Sequence, residues 1–223
     1  MHMGYRMNLP HRHSRWFRTT GAAIITMIAS TLVTSFAHAE GLASLQAFVK
    51  DTRAFTAGFE QTLYDADSTP LQVSTGTIQL KRPGRFLWKY ETPNKQQLLS
   101  DGEKIWLYDE DLEQVTVNDL SDKVSGTPLV ILMGTRPLEE EFVIEVRGPA
   151  DNIEWFELTP RTESADFESL FVGLNDQGLA AMELRDNFGQ ATQIVFSDMN
   201  PDANVPDSIF DFKAPPGVDV IGQ

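Results

Sequence analysis

Lys81-Arg82-Pro83-Gly84-Arg85-Phe86-Leu87-Trp88-Lys89-Tyr90-Glu91, followed by Gln97-Leu98-Leu99-Ser100-Asp101-Gly102 and Ile105-Trp106-Leu107-Tyr108-Asp109, reads as three consecutive antiparallel strands. In the first, Phe86, Trp88 and Tyr90 recur at period two, so one strand face carries three aromatic rings side by side. Upstream, Thr56 to Tyr64 and Val73 to Leu80 continue the strand pattern; downstream, Lys104 to Tyr108 and Gln114 to Asn118 do the same. Pro83-Gly84, Pro93-Asn94 and Asp101-Gly102 punctuate these segments as turns. Further strands are expected at Phe142 to Arg147, Asn152 to Pro160, Ser169 to Leu174, Leu179 to Arg185, Ala191 to Phe196 and Phe210 to Lys213. Asn175 to Gly178 and Asp186 to Gly189 read as hairpin turns. Short sequential strands joined by such turns predict an antiparallel meander of about eleven strands in one domain, without repeats or linkers.

Few helices are available to cover that sheet. Gly41 to Arg53 is amphipathic, with Leu42, Leu45, Phe48 and Val49 on one stripe. Thr127 is a suitable N-cap and Pro128 a suitable first helical residue for an apolar run through Leu129-Val130-Ile131-Leu132-Met133, which Gly134 and Pro137 would end. A further helical turn is expected at Pro137 to Glu141. The run from Leu129 is apolar on every side, and Leu129 and Leu132, three apart, share a face. It is either wedged between the sheet and the first helix or faces an apolar cavity. The Phe86, Trp88, Tyr90 face has the same two readings, an ordinary core face or the lining of a hollow that so few helices cannot fill.

Residues 1 to 39 carry Arg6, Arg12, Arg15 and Arg18, an apolar run from Gly21 to Phe36, and Ala37-His38-Ala39 before Glu40. This is the pattern of a cleaved secretory signal peptide, and its 16-residue core falls short of the roughly 20 residues of a spanning helix. No cysteine stands at the cleavage point to be acylated, so a soluble exported domain of residues 40 to 223 is expected, without stable membrane insertion. Losing the four leader arginines leaves 14 basic against 32 acidic residues, a net charge of −18. Such a chain repels nucleic acid and anionic lipid surfaces.

All four histidines, His2, His11, His13 and His38, lie in the leader, and the chain has no cysteine. That excludes from the exported domain the Ser-His and Cys-His nucleophile systems and the usual zinc sites. Acidic groups such as Asp65-Ala66-Asp67, Asp109-Glu110-Asp111 and Glu139-Glu140-Glu141 lack a glycine-anchored calcium-loop pattern and read as solvated loop faces. Neither an enzyme nor a cofactor or metal site is expected.

The aromatic strand, together with Phe59-Glu60-Gln61 and the ending Phe210-Asp211-Phe212-Lys213-Ala214-Pro215-Pro216-Gly217-Val218-Asp219-Val220, resembles the periplasmic outer-membrane lipoprotein carrier (LolA) family. The resemblance implies a mainly β fold, an unclosed antiparallel barrel with a lid of about three helices over a hydrophobic cavity. It implies a monomeric periplasmic chaperone that takes acylated lipoproteins from an inner-membrane ATP-driven, ABC-type releasing complex and delivers them to an outer-membrane receptor. The acyl chains would lie against Leu42, Leu45, Phe48, Phe86, Trp88, Tyr90, Leu98, Leu129 and Leu132. Arg82 matches the family's arginine that bonds to lid carbonyls and holds the cavity shut, with Arg85 an equally spaced rival on sequence alone. Phe86 matches the aromatic at the cavity mouth that meets the releasing complex. The alternative is a periplasmic sensor or regulator that binds acyl chains in the same half-barrel.

Overall fold

Alternation of apolar and polar residues organises the sheet, and its two faces bury different sets. In the computed structural model, residues 42–120, 129–134, 136–162, 165, 167–201 and 203–222 are described. The expected signal peptide, and the Thr127 and Pro128 cap, lie outside them. Helix α1 spans residues 42–51. The first half of the sheet follows: β1 (Ala54–Tyr64), β2 (Pro70–Lys81), β3 (Arg85–Thr92), β4 (Gln96–Asp101), β5 (Lys104–Asp109) and β6 (Gln114–Asp119). Two short helices, α2 (Leu129–Met133) and α3 (Leu138–Glu141), precede β7 (Phe142–Ala150), β8 (Ile153–Pro160), β9 (Phe167–Asn175), β10 (Gly178–Asp186) and β11 (Ala191–Asn200). A 3-10 turn (Asp207–Phe210) and β12 (Asp219–Gly222) close the chain.

All twelve strands form one sheet in the order β12-β6-β5-β4-β3-β2-β1-β11-β10-β9-β8-β7, which never closes on itself. Each half is a meander, and β1 joins the halves by pairing with both β2 and β11. Pairing is antiparallel except between β12 and β6. Tyr90 faces Gly76 across the β2–β3 ladder, and Phe59 faces Gly76 across β1–β2. Any side chain at Gly76 would meet the Lys89 carbonyl oxygen at 2.0 Å and the Phe59 ring at 2.8 Å, so only glycine lets these rings cross the strand.

One face carries the main core. Phe55, Ala57 and Phe59 of β1, Ile78 and Leu80 of β2, Phe86 and Trp88 of β3, Phe156 and Leu158 of β8, and Leu170 and Val172 of β9 all belong to one buried cluster. Residues from both halves can meet only because the sheet curls around them into an open half-barrel. Leu45 and Phe48 of α1, Ile131, Leu132 and Met133 of α2, and Leu138 of α3 enter the same cluster. The helices therefore roof the concave face and fill it with their own side chains. On the opposite face a small second cluster of Trp155, Phe171 and Ala181 seals β8–β10.

The expected strand at Phe210 to Lys213 is corrected by this structure. Phe210 ends the 3-10 turn, buried, and Phe212 stacks on Trp106 at 5.8 Å and 24°, so the segment straps the convex face. Lys81 and Arg85 both bind the Asp207 carboxylate and pin the start of the strap. Apolar residues at period two report that a chain lies on an apolar surface; they do not report that it bonds to a strand. The twelfth strand is instead Asp219–Gly222, fully exposed along the β6 edge.

Candidate functional site

The turn between β2 and β3 meets the ends of two helices. Helix α1 stops at residue 51 and α2 at Met133, and each end leaves carbonyl oxygens without intrahelical donors. Arg82 supplies them. Its Nη1 donates to the carbonyls of Phe48 at 2.8 Å and Thr52 at 2.7 Å; its Nε donates to Leu132 at 3.0 Å and its Nη2 to Ile131 at 3.0 Å. The backbone joins in, with Arg82 N donating to Arg53 O at 2.7 Å and Gly84 N to Met133 O at 3.2 Å. One planar guanidinium thus caps α1 and α2 together, where the negative ends of both helix dipoles favour a cation.

Packing completes this clasp. The guanidinium carbon lies 5.0 Å from the Phe48 ring centre, on the roof side of the core. Gly134, at φ +58, ends α2 in the left-handed region, and a Cβ there would come within 2.7 Å of Arg82 Cδ. Its lack of a side chain serves both the helix end and the approach of the arginine. Burial brings the Arg82 pKa down to about 10, which still leaves it charged at neutral pH. Arg85, the rival by spacing, points to the other face and pairs with Asp207 at 2.7 Å.

Beneath the clasp lies an aromatic cluster. Phe59 packs against Trp88 at 4.7 Å and edge-on to Tyr90 at 5.3 Å, and Phe196 meets Trp88 at 6.1 Å. Tyr90 Oη donates to Gln61 Oε1 at 3.0 Å, and burial pushes the phenol pKa up. Trp88 Nε1 is buried without an acceptor of hydrogen-bond geometry among the described residues, and its side-chain interaction with the Tyr90 hydroxyl offsets part of the upward shift of that phenol. Unpaired donors of this kind are uncommon in interiors.

Of the residues singled out from the sequence, Leu45, Phe48, Phe86, Trp88 and Leu132 are buried in the concave cluster, and Tyr90 and Leu98 pack against it. Leu42 stands half-buried at the start of α1, apart from that cluster, and the Leu129 side chain lies outside the described residues. Phe86 is fully buried, so no partner touches it while the roof is closed. The sequence reading does not place Phe59, Phe196, Ile131 and Met133 in the lining. Phe59 is recoverable, since Phe55, Ala57 and Phe59 alternate along β1; Phe196 ends the expected strand from Ala191, but nothing in that segment points it at Trp88.

Fold and clasp define a class: an open half-barrel whose concave apolar face is roofed by helices, two of whose ends are capped by one arginine. The fold is shared with the solved structure of an uncharacterized conserved protein from Thermus thermophilus, 9% identical with a TM-score of 0.54 over 81% of this chain and 98% of that one. The chain belongs to the outer-membrane lipoprotein carrier family: residues 50–213 match the family model described as Outer membrane lipoprotein carrier protein LolA. It is similar to the outer-membrane lipoprotein carrier protein of Nitrosospira multiformis, 42% identical over 193 residues, 86% of this chain and 93% of the relative. It is also similar to the protein of that name from Methylobacillus flagellatus, 37% identical over 201 residues, 90% of this chain and 98% of the relative. No helix among the described residues is long and apolar enough to cross a membrane.

Proposed function

We propose that this chain, exported to the periplasm and freed of residues 1 to 39, is a monomeric carrier that shields the acyl chains of lipoproteins between its sheet and its roof. The observation that carries the reading is the Arg82 clasp, because a roof whose two helix ends meet the sheet through the polar bonds of one arginine, above an apolar surface, is a roof that can lift. Acyl chains entering over Phe86, Trp88, Tyr90 and Leu98 would displace Leu45, Phe48 and Leu132, with Leu42 at the margin. Each buried methylene contributes about 0.8 kcal/mol, so a chain of about fifteen gains on the order of 12 kcal/mol before costs. Breaking the clasp and re-exposing the roof residues offsets part of this, which keeps release feasible. Trp88 Nε1 would find an acceptor in a cargo ester carbonyl. Loading would be driven by an inner-membrane ATP-dependent releasing complex that meets Phe86 once the roof has lifted, and an outer-membrane receptor would take the cargo.

The test is to incubate the purified protein with inner-membrane vesicles bearing a labelled lipoprotein and the releasing complex. ATP-dependent appearance of cargo in solution, bound one to one, is the expected result. Absence of release from vesicles that are competent with another family member would overturn the carrier reading and favour an acyl-chain sensor.

A further inference from the structure

In a strongly acidic chain one cleft is lined the other way. It has a volume of about 730 Å³ and lies between α1 and the segment joining α2 to α3. Its charged lining is Lys50, Arg53, Arg82 and Arg136 against the single carboxylate of Glu139. Outside the leader the chain holds 14 basic and 32 acidic residues, so a sample of its surface should show twice as many carboxylates as cations. Here the ratio is reversed.

The cations are not equally engaged. Arg82 is committed to helix carbonyls, and Arg136 pairs with Glu141 at 2.9 Å. Lys50 and Arg53 are exposed and have no side-chain hydrogen bond or ion pair among the described residues. Glu139 already accepts from the Gln46 amide, and Asp51 lines a neighbouring depression that Arg53 also borders. The floor between the charges is apolar, built by Val49, Pro83, Pro137 and Leu138.

We infer that this cleft docks an acidic segment of a partner polypeptide, a short run with two or more carboxylates flanking an apolar side chain. An apolar floor with a charged rim is the anatomy of a protein contact. A lone phosphate would make no use of the floor, and its donors would have to converge, whereas these cations stand on separate elements. A second copy is disfavoured because two molecules at −18 repel. The consequence rests on the carrier reading: Arg82 and Pro83 belong to both cleft and clasp, so docked carboxylates compete with the helix carbonyls for the guanidinium and loosen the roof.

The experiment titrates the purified protein into a fluorescein-labelled Asp-Leu-Glu-Glu-Leu-Asp peptide at low salt, with amide NMR shifts locating the contact. Saturable binding with shifts at residues 46–53 and 134–139 is expected. It should weaken about tenfold in the Lys50→Glu, Arg53→Glu double variant and hold in Lys95→Glu, a charge reversal on a remote turn. Binding indifferent to the double variant, or none, overturns the inference. Inorganic phosphate giving the same shifts at the same concentration overturns it in favour of a small-anion site, and dimerisation abolished by the double variant does so in favour of a second copy. No cargo is involved, so a protein that binds the peptide yet releases no lipoprotein loses only the carrier reading.

Discussion

Replacing Arg82 by leucine removes four hydrogen bonds to carbonyls at two helix ends, those of Phe48, Thr52, Ile131 and Leu132, and leaves Phe48 its backbone bond from Thr52 N. A hydrogen bond from a charged donor contributes about 1.5–3 kcal/mol, so the four set an upper bound of about 6–12 kcal/mol. Two effects reduce it: the lifted helix ends recover water on their carbonyls, and the partly exposed guanidinium is itself well solvated when released. About 3 kcal/mol is expected to remain, and with 1.4 kcal/mol per factor of ten the closed-to-open ratio should fall about 150-fold. The chain has no cysteine, so spin labels can be placed singly, at Ala47→Cys on the exposed side of α1 and Thr77→Cys on the outer face of β2. Pulsed dipolar spectroscopy of the cargo-free protein should give one narrow distance for the parent and a broad, longer distribution for Arg82→Leu. Arg82→Lys should fall between them, because an ammonium cannot fork to two helices. Arg85→Leu should leave the distance unchanged, since that residue serves Asp207 on the other face. A distribution for Arg82→Leu that superposes on the parent's, in a protein with unaltered circular dichroism, would refute the clasp.

Three further outcomes are expected. Gly134→Ala should lower hydrogen-exchange protection of the Ile131 to Met133 amides by about tenfold or more. A left-handed alanine costs about 1–2 kcal/mol before its Cβ, 2.7 Å from Arg82 Cδ, is accommodated. Phe59→Ala, which empties the centre of the aromatic cluster, should cost about 3–5 kcal/mol and lower the melting temperature by about 10 °C, read by calorimetry; Leu107→Ala, at an exposed position, should barely move it. The Lys81 hydrogen bond, opposed by desolvation and joined by the charges of Arg85 and Lys81, holds the Asp207 carboxyl below its ordinary 3.8. Because that pKa is depressed in the folded state, its stabilising contribution is present above about 3.8 and lost as pH falls through the lower folded value. Proteolysis of the strap after Asp207 should therefore speed up below pH 4, and Asp207→Asn should show the fast rate already at neutral pH.

Much of the sheet was legible locally. Phe86, Trp88 and Tyr90 share a face because side chains alternate along any strand, and their hairpins are set by Pro83-Gly84 and Pro93-Asn94 within a few residues. Helix α1 announced itself through Leu45 and Phe48, and both reach the core. The strap did not, because Phe210 and Phe212 carry the same alternation whether they bond to a strand or lie across Trp106. Leu42 shares the stripe of Leu45 but stands at the helix start, half-buried and outside the concave cluster.

The sequence by itself determined the antiparallel meander with few helices, the leader-like pattern of residues 1 to 39, the absence of cysteine and the aromatic face, since each follows from composition or from spacings of a few residues; the unclosed, lidded form came only from the family resemblance. It also narrowed the clasp to Arg82 or Arg85. Only the tertiary structure decided between them, brought Phe59 and Phe196 to Trp88, and gathered Lys50, Arg53 and Arg136 around one cleft. Those contacts join residues that the curl of an open sheet and the meeting of two helix ends bring together, and distances across such a fold are not encoded in any local period.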